Sequence, residues 1–248
     1  MRINSILSLF IVSFIFCQKG DNINEIIKRD KLYYKKFTVD LVDGMVYKLL
    51  EGKQITLGQM RKGEKFGEWK DWYENGQLMT KENYKNGLLN GESKYWDEGG
   101  NLKYIKKFRN GVLNGKQSSW YSKESKICEA TYLNGKKEGD YVCFYSNGQK
   151  KIEGALKNGL YHGVWETWFF DGKKCGYGEF ENGNGDFTDA NHDGSEVTLH
   201  SFSDGILQSE KCIKRCSDKK YDRYNTDDLL LEIQFPLKVK PKFLLLNF

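Results

Sequence analysis

A large aromatic residue recurs at one constant interval through the middle of the chain, at Trp72, Trp96, Trp120, Phe144 and Trp168. Glycine keeps the same spacing at Gly63, Gly87, Gly111, Gly135, Gly159 and Gly183. A second glycine follows four positions later, at Gly67, Gly91, Gly115, Gly139 and Gly163. Three markers in constant phase indicate one short unit copied in tandem. Because such a unit cannot bury its apolar face alone, its copies must stack and the molecule must grow along one direction.

Each copy has the pattern of two short strands and two turns. The first strand carries the repeated aromatic residue and runs into a turn such as Asn75-Gly76 or Asp171-Gly172. Asn-Gly and Asp-Gly accept the positive φ that a tight hairpin turn needs. The second strand carries its own column of large residues, Tyr84, Phe108, Tyr132, Leu156 and Phe180. The sequence therefore predicts an all-β fold, an elongated single-layer antiparallel β-meander of tandem 24-residue hairpin repeats.

Residue alternation along the first strand puts aromatic side chains on both faces of the predicted sheet. Trp72 is expected to share a face with Glu68 and Lys70, and its column is predicted to stack as the structural core. The opposite face carries aromatic residues at shifting positions. That face is the predicted binding surface, because large exposed apolar areas usually mark partner sites. Its aromatic residues are Trp69, Tyr73, Tyr95, Tyr121, Tyr141, Tyr145, Trp165 and Phe169.

The markers place the repeat array at residues 43–205. Its first unit departs from the repeat, with Lys48 at the tryptophan position. Its last unit is also altered, because the interval from Gly183 to Gly205 is two positions shorter than the others. Terminal repeats are often atypical because they cap the stack. Residues 18–42 are predicted to be a linker or N-terminal segment. Residues 206–248 are a charged and then apolar tail, with an edge strand, a short helix and poor order as alternatives.

Residues 1–17 have the pattern of a signal peptide. Met1-Arg2 precede an apolar run at 3–16 that is too short to span a bilayer as a mature helix. Cys17 ends this run, where a bacterial lipoprotein carries its lipidated cysteine, although Phe16 is larger than the residue such a site normally has. The prediction is export to the cell envelope, either as a lipoprotein anchored at Cys17 or as a periplasmic or secreted protein. An uncleaved anchor and a buried N-terminal strand are the alternatives.

The six cysteines show no C-x-x-C pair, and the three histidines are scattered, so the pattern does not predict a zinc finger. Cys128 and Cys143 fall on strands expected to be neighbours. Free cysteines are the favoured interpretation there, with a disulfide in an oxidising compartment as the alternative. Cys212 and Cys216 are the better disulfide candidates because they lie in a polar, irregular stretch.

No catalytic motif is present, so the sequence predicts neither an enzyme nor a small-molecule substrate or cofactor. Asp189, Asn191 and Asp193 match the first half of a calcium-binding loop, but His200 stands where the bidentate glutamate should be. A hairpin turn is the favoured interpretation, and no metal site is predicted. The net charge of +5, from 39 basic and 34 acidic residues, is too mild to indicate nucleic acid.

The repeat resembles the MORN repeat, and more closely the bacterial variant found in YwqK-type antitoxin proteins. The signature G-x-x-x-G-x-W-x-x-W-Y-x-N-G followed by K-N-G is whole from Gly63 to Gly87, and it returns with changes from Gly159 to Gly183. The third copy departs from it, with Lys123-Glu124-Ser125 in place of the Asn-Gly turn. The resemblance implies the fold and no catalytic residues. It also implies either a protein-binding or membrane-proximal scaffold or an antitoxin.

The expected function is that of a non-enzymatic, exported repeat protein that acts as a protein-binding scaffold at the cell envelope. The alternative is an antitoxin or immunity protein that neutralises a partner toxin. Attachment to the membrane would go through a lipid anchor at Cys17.

Overall fold

The computed structural model describes residues 20–193 and 195–214. It confirms the predicted fold class, since most of these residues lie in strands, and these form successive antiparallel hairpins. The only helical element among them is one 3-10 turn, Ile23–Glu25. No helix in the described ranges is long and apolar enough to cross a membrane.

The strands are numbered here in chain order. They are β1 Gly20–Asn22, β2 Ile26–Arg29, β3 Leu32–Lys35, β4 Gly44–Leu50, β5 Lys53–Arg61, β6 Glu64–Trp72, β7 Leu78–Lys85, β8 Leu88–Leu89, β9 Gly91–Trp96, β10 Leu102–Arg109, β11 Val112–Leu113, β12 Gly115–Trp120, β13 Lys126–Leu133, β14 Lys136–Phe144, β15 Lys150–Lys157, β16 Leu160–Trp168, β17 Lys174–Glu181, β18 Asn184–Ala190, β19 Val197–Ser203 and β20 Ile206–Lys214.

From β4 onward each strand pairs antiparallel with the next, as in Gly44↔Met60 between β4 and β5 and Gly163↔Phe180 between β16 and β17. The pairs β8/β9 and β11/β12 are single strands of the repeat, each broken by one residue, and both parts pair with the same preceding strand. Among the described strands, only β1 pairs in parallel, along β4. Strands β2 and β3 form a separate hairpin.

The turns at the first glycine column, such as Asn86-Gly87 and Asn110-Gly111, lie along one edge of the array and stack on each other. Asn86 and Gly87 have φ of 51° and 71°, as both central residues of a two-residue type I′ turn require. The Gly87 amide then donates to the Lys65 carbonyl oxygen at 3.1 Å, and the Gly111 amide repeats this to Leu89 at 2.7 Å. The first glycine column thus closes a hairpin and also joins its turn to the preceding unit.

The second glycine column lies at a bulge in the strand. Glu153 pairs with Glu166 and Ala155 pairs with His162, so the stretch of β16 between these two pairs is longer than the stretch of β15 that it faces. Gly163 lies within that longer stretch with φ of 71°, a conformation that is costly for any residue with a Cβ. The repeated glycine therefore permits a bulge that recurs along the array.

Buried apolar side chains form two separate clusters along the array. The N-terminal cluster contains Ile26, Val42, Val46, Leu57, Met60 and Trp69. The C-terminal cluster contains Ala130, Tyr141, Cys143, Ile152, Leu156, Tyr161, Trp165 and Phe180. The sheet face that carries both clusters is called the core face below.

Burial does not follow the predicted division between a core face and a binding face. None of the Trp72, Trp96, Trp120, Phe144 and Trp168 side chains is buried, and each is half exposed at the last position of its strand. Trp69, Tyr141 and Trp165, predicted to line a binding surface, are instead at most 4% exposed. Mid-strand residues are covered by neighbours on both sides, whereas residues at strand ends are covered on one side only.

The array extends beyond both predicted boundaries. Val42 is fully buried with Met60, and the Tyr33 amide donates to the Gly63 carbonyl oxygen at 2.8 Å. The described part of the segment predicted as a linker therefore caps the first unit. At the other end, β20 pairs along β19, which agrees with the edge-strand alternative for the start of the tail. The rest of the tail and the predicted signal peptide, with Cys17, lie outside the described residues.

Candidate functional site

The core face is built from one repeated pair of positions on adjacent strands. Trp165 lies flat over Gly154, where an added Cβ would come within 2.2 Å of its ring. The indole N–H of Trp165 donates to the Ala155 carbonyl oxygen at 3.0 Å. Trp69 repeats this arrangement at the other end of the array, over Gly58. A later unit of the array has Ala130 and Tyr141 at the equivalent positions. Alanine is larger than the glycine it replaces, and the tyrosine ring is smaller than the tryptophan ring.

Two central units replace this apolar pair with polar residues. Ser93 and Gln117 occupy the position of Trp69 and Trp165, and Glu82 and Lys106 occupy the position of the facing glycine. These four residues are called the polar break. They share the core face, because Lys106 lies opposite Ser93, Gln117 lies opposite Ala130, and Glu82 lies opposite Trp69. The polar break separates the two apolar clusters.

The polar break is only partly satisfied by its own hydrogen bonds. Ser93 Oγ lies 3.4 Å from one oxygen of Glu82, and the Tyr84 hydroxyl donates to the other at 2.7 Å. The Oε1 atom of Gln117 is buried and has no hydrogen-bond partner in the described part of the chain. A buried acceptor without a donor costs free energy.

Three tyrosines border the polar break and form a tyrosine cluster, Tyr73, Tyr95 and Tyr104. The rings of Tyr95 and Tyr104 stack with centroids 4.9 Å apart. The Tyr73 hydroxyl lies 2.8 Å from both the Tyr95 hydroxyl and the Trp96 carbonyl oxygen and shares its proton between these two acceptors. The hydrogen bond with Tyr95 raises the pKa of Tyr73 to about 12, and burial raises the pKa of Tyr104. These two hydroxyls therefore stay neutral at physiological pH.

Lys106 joins the polar break to the tyrosine cluster. Its ammonium lies 4.5 Å from the centroid of the Tyr104 ring, within the range of a cation–π contact. All of these side chains except Ser93 are half exposed. The site therefore offers a cation, a carboxylate, an amide and flat aromatic surface within one region of the core face. Tyrosines of this kind are common in protein-binding surfaces because they give large contact area at low entropic cost.

The candidate site contains two of the predicted binding residues, Tyr73 and Tyr95, whereas Tyr141 and Trp165 contact each other in the C-terminal cluster. Tyr145 donates to the Trp168 carbonyl oxygen at 2.8 Å, which repeats the bond from Tyr73 to Trp96 in a later unit. Phe169 packs on His192 with centroids 4.9 Å apart, and Tyr121 is half exposed at its strand end. Binding by these residues stays a prediction.

Sequence reasoning missed the four residues of the polar break. Their signal was present, because the positions that follow Trp69 at the repeat interval, up to Trp165, read Trp, Ser, Gln, Tyr, Trp. The companion positions from Gly58 to Gly154 change in parallel, reading Gly, Glu, Lys, Ala, Gly. The tryptophan column at Trp72 is more regular, so it dominates the periodicity of the sequence and the variation in this second column is less apparent.

The other face of the sheet carries alternating ion pairs. Glu68 pairs with Lys70 and Lys81 at 2.6 and 2.8 Å, and the next unit repeats this with Glu92 between Lys94 and Lys107. Exposed pairs of this kind contribute little stability. Glu68, Lys70 and Trp72 line one open depression with Phe66 and Met45, and Trp72 also packs against the N-terminal cluster.

The structure revises the cysteine interpretation. Cys128 and Cys143 lie directly opposite each other on β13 and β14 and form a disulfide, so the favoured interpretation of free cysteines is wrong there. Cys212 is also disulfide-bonded, while Cys216 lies outside the described residues. Cys175 is a free, half-buried thiol whose pKa is raised by burial.

The segment that resembles half a calcium loop is a hairpin turn between β18 and β19. Its Asp193 accepts from the Ser195 amide at 2.8 Å, and Asp189 lies 3.0 Å from His200 Nε2. Asp189 thereby raises the pKa of His200. Within the described ranges, no group of three or more His, Cys, Asp or Glu residues could hold a metal ion.

Comparison with known families agrees with this geometry. The model of the MORN repeat variant family matches residues 67–86, 89–110 and 137–158. These segments cover the β6–β7, β9–β10 and β14–β15 hairpins, so the chain is a repeat protein similar to this family over those units. Among curated proteins, none matches the chain.

Proposed function

We propose that this chain is a non-enzymatic, exported repeat protein that binds a protein partner at the cell envelope. The observation that carries the proposal is the polar break with its adjoining tyrosine cluster. A repeat protein gains stability when every unit contributes the same core pair, here a large ring packed on a small residue. Two central units have the polar residues Ser93, Gln117, Glu82 and Lys106 at these positions instead. Positions where local consistency is lost are expected to be functional.

Export is supported by the cysteines as well as by the signal-peptide pattern. The disulfide between Cys128 and Cys143, and the bonded state of Cys212, are typical of proteins in oxidising compartments. The cytosol keeps most thiols reduced. Anchoring through a lipid at Cys17 is part of the same proposal.

The test compares two adjacent lysines that point to opposite faces. Lys106 lies on the core face, whereas Lys107 pairs with Glu92 at 3.6 Å on the other face. Full-length wild type, Lys106→Glu and Lys107→Glu are cross-linked in the native envelope, purified, and their partners quantified by mass spectrometry. We expect Lys106→Glu to lose a protein that wild type and Lys107→Glu retain. Equal recovery in all three, or no specific partner of wild type, would overturn the proposal.

A narrower version makes the partner a toxin, so that the chain is an antitoxin or immunity protein. It is supported by the resemblance of the segment Gly63 to Gly87 to YwqK-type proteins. In the cross-linking experiment, recovery of a toxin encoded beside this gene would favour this version. Relief of that toxin's effect on growth by wild type but not by Lys106→Glu would then establish it.

A further inference from the structure

The loop after β3 presents two apolar side chains to solvent with almost no cover. Phe37 is 97% exposed and Val39 is 83% exposed, the highest values among the exposed large hydrophobic residues of the described ranges. Phe37 also has φ of 60°, in the left-handed region that bulky side chains rarely adopt. A glycine or asparagine would fit this turn with less strain. The exposed Phe37 side chain therefore serves neither packing nor turn geometry, which points to a role outside the fold.

The loop is held in place by hydrogen bonds. The Lys35 amide donates to the Asp40 carbonyl oxygen at 3.0 Å, and the Lys36 amide donates to that of Glu25 at 2.8 Å. Arg29 donates to the Thr38 carbonyl oxygen at 3.1 Å. Phe37 and Val39 are thus presented on a fixed backbone, so ordering the loop on binding costs little.

The position of this loop indicates what covers its tip. Lys35 forms an ion pair at 2.9 Å with Asp21 in β1, so the loop lies beside the first described strand. β1 begins at Gly20, three residues after Cys17, a stretch of chain that spans at most about 10 Å. A bilayer that holds either a lipid on Cys17 or the apolar run 3–16 would therefore lie close to the tip.

We propose that Phe37 and Val39 insert into the surface of a phospholipid bilayer and orient the array on it. This inference rests on the anchoring part of the proposed function. A tip of two side chains is too small for a stable protein–protein interface, which needs roughly 800 Å² per partner. On a molecule already tethered to the bilayer, the tip needs only weak affinity, because tethering supplies a high local concentration.

The charges around the tip predict how the contact responds to salt. The segment 21–40 carries five basic residues, Lys28, Arg29, Lys31, Lys35 and Lys36, and four acidic ones, Asp21, Glu25, Asp30 and Asp40, so its net charge is small. Apolar insertion must therefore carry the contact. We expect it to be retained at high salt and on zwitterionic as well as anionic vesicles.

The first experiment places a reporter at the tip. Full-length Phe37→Trp and Phe170→Trp are mixed with phosphatidylcholine vesicles that contain brominated lipid. Phe170 is the matched control, an exposed phenylalanine in a turn of the array. The six native tryptophans contribute equally to both proteins. We expect extra quenching only for Phe37→Trp, and equal quenching would contradict the insertion.

The second experiment separates the tip from the anchor and from folding. Phe37→Gly is compared with wild type in thermal unfolding and, with and without Cys17→Ser, in vesicle flotation. We expect an unchanged or higher midpoint of unfolding, and about tenfold weaker partition from loss of one inserted phenylalanine. If Cys17→Ser weakens flotation and Phe37→Gly does not, the result would support the lipid anchor and contradict insertion of Phe37 and Val39. A photoreactive residue at position 37 that cross-links a protein instead of lipid would also refute it.

Discussion

At the scale of single residues, the fold depends on the fit between a large ring and the small residue beneath it. Trp165 covers Gly154 and Tyr141 faces Ala130, so ring size and the size of the facing residue change together. Protein interiors are packed so closely that adding or removing one methyl group changes the free energy of unfolding. The relation between these positions is therefore quantitative and can be tested by exchange.

Gly154→Ala is expected to lower the free energy of unfolding by about 1–3 kcal/mol, because its Cβ would overlap the Trp165 ring. Adding Trp165→Tyr should restore part of this loss, since the double variant reproduces the pair Ala130 and Tyr141. Urea unfolding followed by circular dichroism measures both. The matched control is Ala155→Gly in the same strand, and a double variant no more stable than Gly154→Ala would contradict the argument.

Glu129 predicts a dependence of stability on acid. Burial raises the pKa of its carboxyl, but hydrogen bonds from Lys126, Lys116 and Ser118 outweigh this and lower the pKa to about 2. A carboxyl whose pKa falls on folding contributes stability that is present above its unfolded pKa and lost as pH drops toward 2. Because the lysines are exposed, we expect this contribution to be only about 1 kcal/mol.

The measurement is thermal unfolding of wild type and Glu129→Gln from pH 7 to pH 2. The two midpoints should differ at pH 7 and converge as the pH falls below 4.5. Glu153→Gln is the control, because its carboxylate pairs with a single exposed lysine, Lys150. A constant difference between wild type and Glu129→Gln across this range would exclude the assignment.

At the scale of elements, each hairpin is tied to the next by bonds that repeat along the chain. The turn amides of Gly87 and Gly111 bond back one unit, and the tyrosine hydroxyls of Tyr73 and Tyr145 bond forward one unit. The tyrosine, asparagine and glycine of the repeat motif therefore recur because each forms a hydrogen bond to a neighbouring unit. Asn75 and Asn147 add to these, since each donates to a carbonyl oxygen in the turn of the next unit.

The disulfide between β13 and β14 ties two neighbouring strands of the array covalently. Its cysteines are 15 residues apart, and closing a loop of this length stabilises a protein by about 3 kcal/mol. We expect Cys128→Ala with Cys143→Ala to lower the unfolding midpoint of the C-terminal cluster. Reductant should lower the midpoint of wild type more than that of the double variant, and an equal response of both would count against the disulfide's role.

At the scale of the whole molecule, the polar break divides the array into two apolar clusters. Repeat proteins are stable through the sum of unit and interface terms, so a weak interface in the middle reduces the coupling of the two ends. We expect amides of β9 and β12 to exchange with solvent faster than those of β15 and β16. Native-state hydrogen exchange measures this, and uniform protection across these strands would argue against two clusters.

Repair of the polar break tests the same point in the opposite direction. Lys106→Gly with Gln117→Trp installs the pair found at Gly154 and Trp165. We expect the double variant to gain about 1–2 kcal/mol and unfold more cooperatively, while losing the partner proposed to bind there. Gln117→Trp alone should not gain, since the Lys106 side chain occupies the space beneath the ring.

The sequence by itself determined the period, the all-β meander and the turns, because these follow from local backbone chemistry. Asn86 and Gly87 need no distant partner to favour a two-residue hairpin turn, and copies in constant phase must stack. The part of the candidate site that could be predicted was Tyr73 and Tyr95, as aromatic residues of the face opposite Trp72.

Only the tertiary structure decided which aromatic column is core. Trp69 and Trp72 are equally apolar in sequence, but Trp69 lies in mid-strand over Gly58 whereas Trp72 ends its strand beside a turn. Burial depends on how many neighbours surround a position, and periodicity does not encode that number. The same reason explains the pairing of Cys128 with Cys143, the cap at Val42 and the polar break, since each depends on register between strands that local patterns leave open.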